Sequence, residues 1–313
     1  MSEQLTYETL LEASRRANWR IEDIIGGDKK LDFTRTFLPE TYVRAQDLEF
    51  LNPGERLLLN HIRSRGYLAI FELLEQVIVP FMSQVAGDED DEESFRAPAL
   101  RNLVREENKH RELFRRFLAE FDEAFGVECG LIGPAPDIVA AVLDHTPMAV
   151  TIAVFALEWM SQDHYTQSVL DDQTIDPQFK KLLKHHWEEE LQHARIDELL
   201  LLSMAGQSSR EEIQAAVDGF FDIGGFLDGG LKHQAALDLA SFQRAARRDL
   251  SEAEQAAFLA GQHQALRWTF LGTTMRNANF LGVLAVLDES ARRRVEEAAS
   301  TFAINRGAQE GQQ

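Results

Sequence analysis

Two short runs in this chain pair a carboxylate with an imidazole three positions on. Glu107 and His110 lie in Arg105-Glu106-Glu107-Asn108-Lys109-His110, and Glu190 and His193 in His186-Trp187-Glu188-Glu189-Glu190-Leu191-Gln192-His193. On a helix, residues three apart share a face, so both groups of each pair can reach one ion. Two Glu-x-x-His pairs, with one further glutamate from each of two other helices, make the donor set of a dinuclear site inside a helix bundle. Carboxylate and imidazole together suit iron or manganese, and oxygen chemistry is the usual use of such a set.

One such pair in a chain with nine histidines and 52 acidic residues would be explained by a solvated helix face. Two pairs on two long helices ask for more. Around Glu107 the positions at minus four, minus three, plus seven and plus ten are Leu103, Val104, Phe114 and Phe117. That apolar stripe turns the Glu-His pair towards the interior. An inward carboxylate without a partner is costly, so an ion or a polar network is expected beside it. Glu106, with Asn102 and Lys109 as helical neighbours, reads as a surface residue.

For the single glutamates, Glu158 is the only acid between Asp144 and Asp163, set among Val154, Phe155, Leu157 and Trp159. Glu75 and Glu72 compete for the other place. Glu75 has Leu68, Phe71, Ile78 and Val79 along its face, whereas Glu72 shares its face with Arg65 and Gln76. Glu75 also precedes Glu107 by 32 positions (107 − 75), as Glu158 precedes Glu190 (190 − 158). The stripe and the repeated spacing select Glu75. His186, four before Glu190 and seven before His193, shares their face and is a candidate seventh ligand. The alternative is a packing histidine beside His185 and Trp187. Asp197, seven after Glu190, could hydrogen-bond a ligand histidine. Phe71, Phe114, Phe155 and Trp187 could wall a cavity, and Tyr165 could face it, although aromatic residues at helical spacing are more often plain core.

The elements that must position these groups are helical, because apolar residues recur at three and four along almost every long segment. Short helices and loops are expected over 1–52, then four long helices over 53–205. These run from about Pro53 to Val85, Pro98 to Phe125, Ile138 to Leu170 with a bend at Thr146-Pro147, and from the Asp176-Pro177 cap to Ala205. Gly87 and the acidic run Asp88–Glu93 form a solvated connection, and Gly133-Pro134-Ala135-Pro136 a break. Two or three more helices follow over 206–313, separated by Gly224-Gly225, Gly229-Gly230 and Asp249-Leu250-Ser251, with a frayed polar tail from Arg306. The glycine pairs read as a hinge or loop, and without a preceding strand they are no phosphate loop. The whole is expected to be a single all-α domain: a ferritin-like four-helix bundle with additional N- and C-terminal helices.

Composition narrows the function. With 32 Lys+Arg against 52 Asp+Glu, the 313-residue chain has a net charge of −20, which excludes a nucleic-acid binder and a polybasic membrane surface. Arg244, Arg247 and Arg248 make only a small basic face, best matched by local acids. An apolar fraction of 44% supports a real core. The lone Cys129 excludes an intrachain disulfide and a cysteine-built metal site, and points to a reducing compartment. Met1-Ser2-Glu3-Gln4 lacks a signal-peptide start. The apolar run Met148–Leu157 is far shorter than the roughly 18–20 residues a membrane span needs. A soluble cytoplasmic protein is expected.

The motifs resemble the ferritin-like di-iron oxygenases, and among them the p-aminobenzoate N-oxygenase family. The likeness is carried by His186-x3-Glu190-x2-His193, Glu107-x2-His110, Glu158 and one of Glu75 or Glu72, over about residues 60–205. A first ligand at Glu72, 35 before Glu107, also fits that family (107 − 72). The resemblance implies a di-iron centre that activates dioxygen and oxidises a small molecule, classically at an aryl-amine nitrogen, using electrons from an external donor. It implies His186 as the extra ligand. A second copy of the chain is the candidate protein partner. The run Glu106-Glu107-Asn108-Lys109-His110 is also similar to that of the acyl-carrier-protein desaturases, and only His186 separates the two groups. A metal-storage or structural metal bundle, and a helical interaction protein with fortuitous motifs, are the readings outside catalysis.

Overall fold

The structure is a computed structural model that describes residues 5–87 and 95–303. Met1–Gln4, the acidic run Asp88–Glu93 and the tail from Arg306 lie outside the described residues. Among the described residues the chain is helical, with no strand beyond two isolated bridges. Three short helices come first, α1 (Tyr7–Ala17), α2 (Ile21–Ile24) and α3 (Glu40–Val43). Then follow α4 (Pro53–Ala86), α5 (Arg96–Phe125), α6 (Ala135–Leu143), α7 (Pro147–His164) and α8 (Pro177–Ala205). The C-terminal part holds α9 (Arg210–Ala246), α10 (Glu252–Arg267), α11 (Ala278–Leu287) and α12 (Glu289–Phe302).

Helices α4 and α8 start where side chains satisfy the first free amides. Asn52 accepts from the Glu55 amide at 3.0 Å while Glu55 accepts from the Asn52 amide at 2.9 Å, with Pro53 as first helical residue. Asp176 likewise caps α8, accepting from the Phe179 amide at 2.7 Å, and Pro177 follows. The segment expected as one bent helix over 138–170 is two. Asp144–Thr146 separates α6 from α7, Thr146 caps α7 ahead of Pro147, and α7 runs on into a π-helical turn at Tyr165–Val169.

The expected glycine breaks do not occur. α9 passes unbroken through Gly224-Gly225 and Gly229-Gly230, and four helices rather than two or three lie beyond Arg210. Glycine costs about 1 kcal/mol against alanine inside a helix, which tertiary packing can override. At Gly230 a Cβ would lie 3.3 Å from Ile132 Cδ1, so the absent side chain leaves room for the strap after α5. The break at Asp249-Leu250-Ser251 is real, with Ser251 capping α10. Arg248 pairs there with Glu55 at 2.9 Å and with Glu254, and Arg244 donates to the Glu128 carbonyl, so two of the three arginines of the small basic face are engaged within the chain.

Ion pairs report the helix directions. Arg65 meets Asp122 at 2.8 Å and Glu72 meets Arg115 at 2.7 Å, so α4 and α5 are antiparallel. Thr151 meets Met204 and Gln162 meets the Trp187 carbonyl, which makes α7 and α8 antiparallel too. Two apolar clusters divide these helices lengthwise. Phe71, Leu113, Met160 and Leu183 belong to one, and Ile78, Leu103, Ala156 and Ala194 to the other. All the predicted ligands sit in the layer between. α4 is long and apolar enough to cross a membrane, yet it is packed among the other helices with Arg63 and Glu75 buried, as a core helix is.

Candidate metal centre

The layer between the two apolar clusters brings together Glu75 from α4, Glu107 and His110 from α5, Glu158 from α7, and His186, Glu190 and His193 from α8. All seven are buried. The His110 Nδ1 lies 2.9 Å from Glu190 Oε1 and 3.3 Å from Glu107 Oε2. The His193 Nδ1 lies 2.9 Å from Glu107 Oε1 and 3.4 Å from Glu190 Oε2. The His186 Nε2 is 2.7 Å from Glu190 Oε1 and 3.5 Å from Glu75 Oε1.

Two sets of donors result. One donor atom from each of Glu75, His110, His186 and Glu190 lies within 4.8 Å of all the others, and the same holds for Glu107, His110, Glu190 and His193. Glu158 is in neither set but borders the same small cavity as Glu75, His186 and Glu190, a space of about 260 Å³ including its open part. Glu72 is turned outward to Arg115, and Gln76 donates to its other oxygen at 2.7 Å.

A cation fits the chemistry of these donors. Glu75 Oε2, Glu107 Oε1, Glu190 Oε1, His186 Nε2 and His193 Nδ1 are buried and close together, yet none is aligned in a hydrogen bond. Buried polar atoms left this way are costly, and a cation in each of the two donor sets would satisfy them. Buried His/Glu groups that could hold metal are therefore present.

Without a cation, protons balance the charge. Burial, and then the Glu107 carboxylate, push the Glu75 carboxyl well above its ordinary value. Burial and the Glu190 carboxylate do the same to Glu158. Burial opposes charge on His110, but Glu190 and Glu107 outweigh it and raise its pKa well above the usual imidazole range. Glu107 and Glu190 raise His193 in the same way against burial. Glu107 and Glu190 themselves are held low in spite of burial, chiefly by His193 and by His186 respectively.

The outer nitrogens of two histidines are held by carboxylates that sequence reasoning did not assign. His110 Nε2 lies 2.9 Å from Glu189 Oε2, and His193 Nε2 lies 3.1 Å from Glu106 Oε2. Position 110 meets 189 and 106 meets 193, so α5 and α8 are antiparallel and each helix orients the other's histidine. A carboxylate on Nε2 leaves Nδ1 as the lone pair aimed into the site. Glu106, read above as a surface residue, is 1% exposed. It is covered because α1 lies across α5 and α8: Ser14 donates to Glu106 Oε1 at 2.6 Å, and Asn102 donates to Ser14. Lys109 binds Glu189 Oε1 at 2.5 Å beneath Trp19, whose ring stacks on His110 at 5.9 Å. The signal was present as a second acid directly before each ligand glutamate, but the cover over it comes from a remote segment.

Asp197 does not fill the role suggested for it. It is buried, and neither of its oxygens accepts a hydrogen bond among the described residues. Of the aromatic candidates, Phe71 and Phe114 frame His186 at 5.5 and 5.0 Å. Phe155 packs on Phe280, whereas Tyr165 stacks on Trp187 and shares the lining of a small cavity with His186.

Glu106→Gln and Glu189→Gln each keep shape and remove charge beside a histidine. Either change should weaken metal binding about 10- to 100-fold while leaving the helical circular-dichroism spectrum intact. Unchanged affinity in a competition titration with a coloured chelator would show that these carboxylates do not tune the histidines.

No known protein-family model matches this chain, and no curated protein matches it.

Proposed function

We propose that this protein is a dioxygen-activating di-iron oxidoreductase built on a ferritin-like four-helix bundle, α4, α5, α7 and α8, with α1–α3 and α9–α12 packed around it. The observation that carries this reading is the meeting of four glutamates and three histidines from four helices in one buried layer, with five of their polar atoms in no aligned hydrogen bond. A single surface pair would have supported only a solvated face. Carboxylate-rich donors with imidazole favour iron, with manganese as the competing ion. Two iron ions held there would supply the reductive activation of dioxygen; electrons would come from an external donor.

The chain's own contribution is positional. Glu106 and Glu189 hold the His193 and His110 rings with Nδ1 inward. Trp19 and Lys109 close the histidine side against water. The opposite side, with Glu75 and Glu158, borders the cavity where a substrate would approach. The presence of His186 beside Glu75 and Glu190 favours the N-oxygenase-like donor set over the desaturase-like one.

The test is metal analysis followed by reaction with oxygen. Protein expressed with iron should carry about two ions per chain, as a dinuclear carboxylate bundle does. Its reduced form should develop a near-ultraviolet absorption band on mixing with dioxygen. Two ions with no oxygen reaction would favour a structural metal bundle, and absence of iron and manganese would remove the metal reading altogether.

A further inference from the structure

A second cavity lies beside the ligand cluster, between α4, α6, α7 and α9, and spans about 750 Å³ including its opening. Leu74, Ile78 and Leu157 line both this cavity and the smaller one next to Glu75 and Glu158. These three side chains are therefore the partition between the large cavity and the proposed metals. At the other side the wall includes Phe226, which is 47% exposed and marks the mouth. A large aromatic ring left in water has no packing role for this chain alone, but it fits an apolar entrance.

The lining contains a single polar side chain, Thr274, and its hydroxyl already donates to the Phe270 carbonyl at 2.8 Å. No charged residue faces the space. A carboxylate, an ammonium or an amide placed inside would lose its water and gain no partner, which disfavours its entry. The rest of the wall is aliphatic apart from Phe220, Phe226 and Phe270. Apolar occupants need only displace water, and an alkyl chain gains with every methylene buried.

We propose that this cavity is the substrate channel of the centre and takes an uncharged alkyl chain, entering past Phe226 and directed towards the Glu75–Glu158 side. The channel's role in turnover rests on the di-iron reading above; its occupancy does not. A polar head group on such a substrate stays at the mouth, so selectivity is exercised on the chain.

Gly224 and Ala153 allow the channel to be filled without touching a proposed ligand. A Cβ at Gly224 would meet Met275 Cε at an ordinary contact distance of 3.8 Å, so a side chain is accommodated at this position of the cavity wall. Calorimetric titration of the iron-supplemented protein with 1-hexanol, 1-octanol and 1-decanol should show affinity rising about fourfold per methylene. Gly224→Leu and Ala153→Leu should each weaken 1-decanol at least tenfold and flatten the length dependence, with metal content and melting temperature retained. The same titration on chelator-stripped protein separates the two readings. Chain-length dependence that both variants abolish supports the channel even if no metal loads. Normal metal loading with flat length dependence, or with equal binding by both filled variants, overturns the channel and leaves the di-iron reading standing. Tighter binding of 1-naphthol than of 1-decanol overturns the choice of an alkyl chain.

Discussion

Glu190→Ala and His193→Ala are expected to abolish two-metal loading, taking the iron content from about two ions per chain to less than one. Glu190 has the largest effect because its carboxylate belongs to both donor sets and lies within 3 Å of both His110 Nδ1 (2.9 Å) and His186 Nε2 (2.7 Å). Removing it takes a shared ligand from each ion. His193 contributes to one set, but its Nδ1 is the only imidazole nitrogen within 3 Å of Glu107 Oε1 among the described residues. Loss of loading should also remove the stability that metal confers, about 4 kcal/mol when free metal exceeds the dissociation constant a thousandfold. Because alanine at a buried charged site can itself unfold a protein, the isosteric Glu190→Gln should be measured beside it. Folded variants with ordinary iron content would refute the site. His186→Ala is different: it should leave loading in place and alter the rate or spectrum of the oxygen reaction, since Glu75, His110 and Glu190 remain.

Metal-free protein should lose stability as pH rises through neutrality, whereas metal-loaded protein should gain it. Glu75 and Glu158 have pKa values raised above the ordinary 4.5, and His110 and His193 above the ordinary 6.5. For all four, the folded state holds a proton that the unfolded chain releases more easily. Their contribution is therefore complete below the unfolded values, and is lost as pH climbs from 4.5 for the carboxyls and from 6.5 for the imidazoles towards the raised folded values. Glu107 and Glu190 are shifted the other way, so their contribution is present above 4.5 and fails as pH falls through their depressed values. Taken together, these six groups favour the metal-free fold on the mildly acidic side. A cation needs the deprotonated donors, so the same protons compete with it and affinity increases with pH. Denaturant melts from pH 6 to 9, with chelator and with iron or manganese, give the comparison. Parallel curves would mean that these groups do not exchange protons for metal.

Much of this site was legible in the linear chain. Glu-x-x-His places two donors on one helix face by geometry alone, and the apolar stripe around Glu107 states which face of that helix turns inward. The equal spacing from Glu75 to Glu107 and from Glu158 to Glu190 reflected two antiparallel hairpins of similar length. The outward turn of Glu72 to Arg115 agrees with its mixed face. Helix ends were legible at Asn52-Pro53 and Asp176-Pro177 because capping is a local hydrogen-bond problem. Glycine pairs misled in α9, since a local entropic cost of about 1 kcal/mol per glycine is smaller than the packing that a long helix gains.

What the amino-acid sequence determined by itself was the all-helical class and the donor types, together with which helix face each donor occupies. These depend on periodicity and on side-chain chemistry, and both are properties of short stretches. Only the tertiary structure decided how one helix serves another. The crossed pairs His110–Glu189 and His193–Glu106 need the antiparallel register of α5 and α8. Burial of Glu106 needs α1, some ninety residues earlier, to lie over it (Ser14 to Glu106 is a separation of 92). The apolar channel needs α4, α6, α7 and α9 to leave a gap where Gly224 and Ala153 are small. Such relations are set by which surfaces meet, and no run of residues along one helix records what will face it.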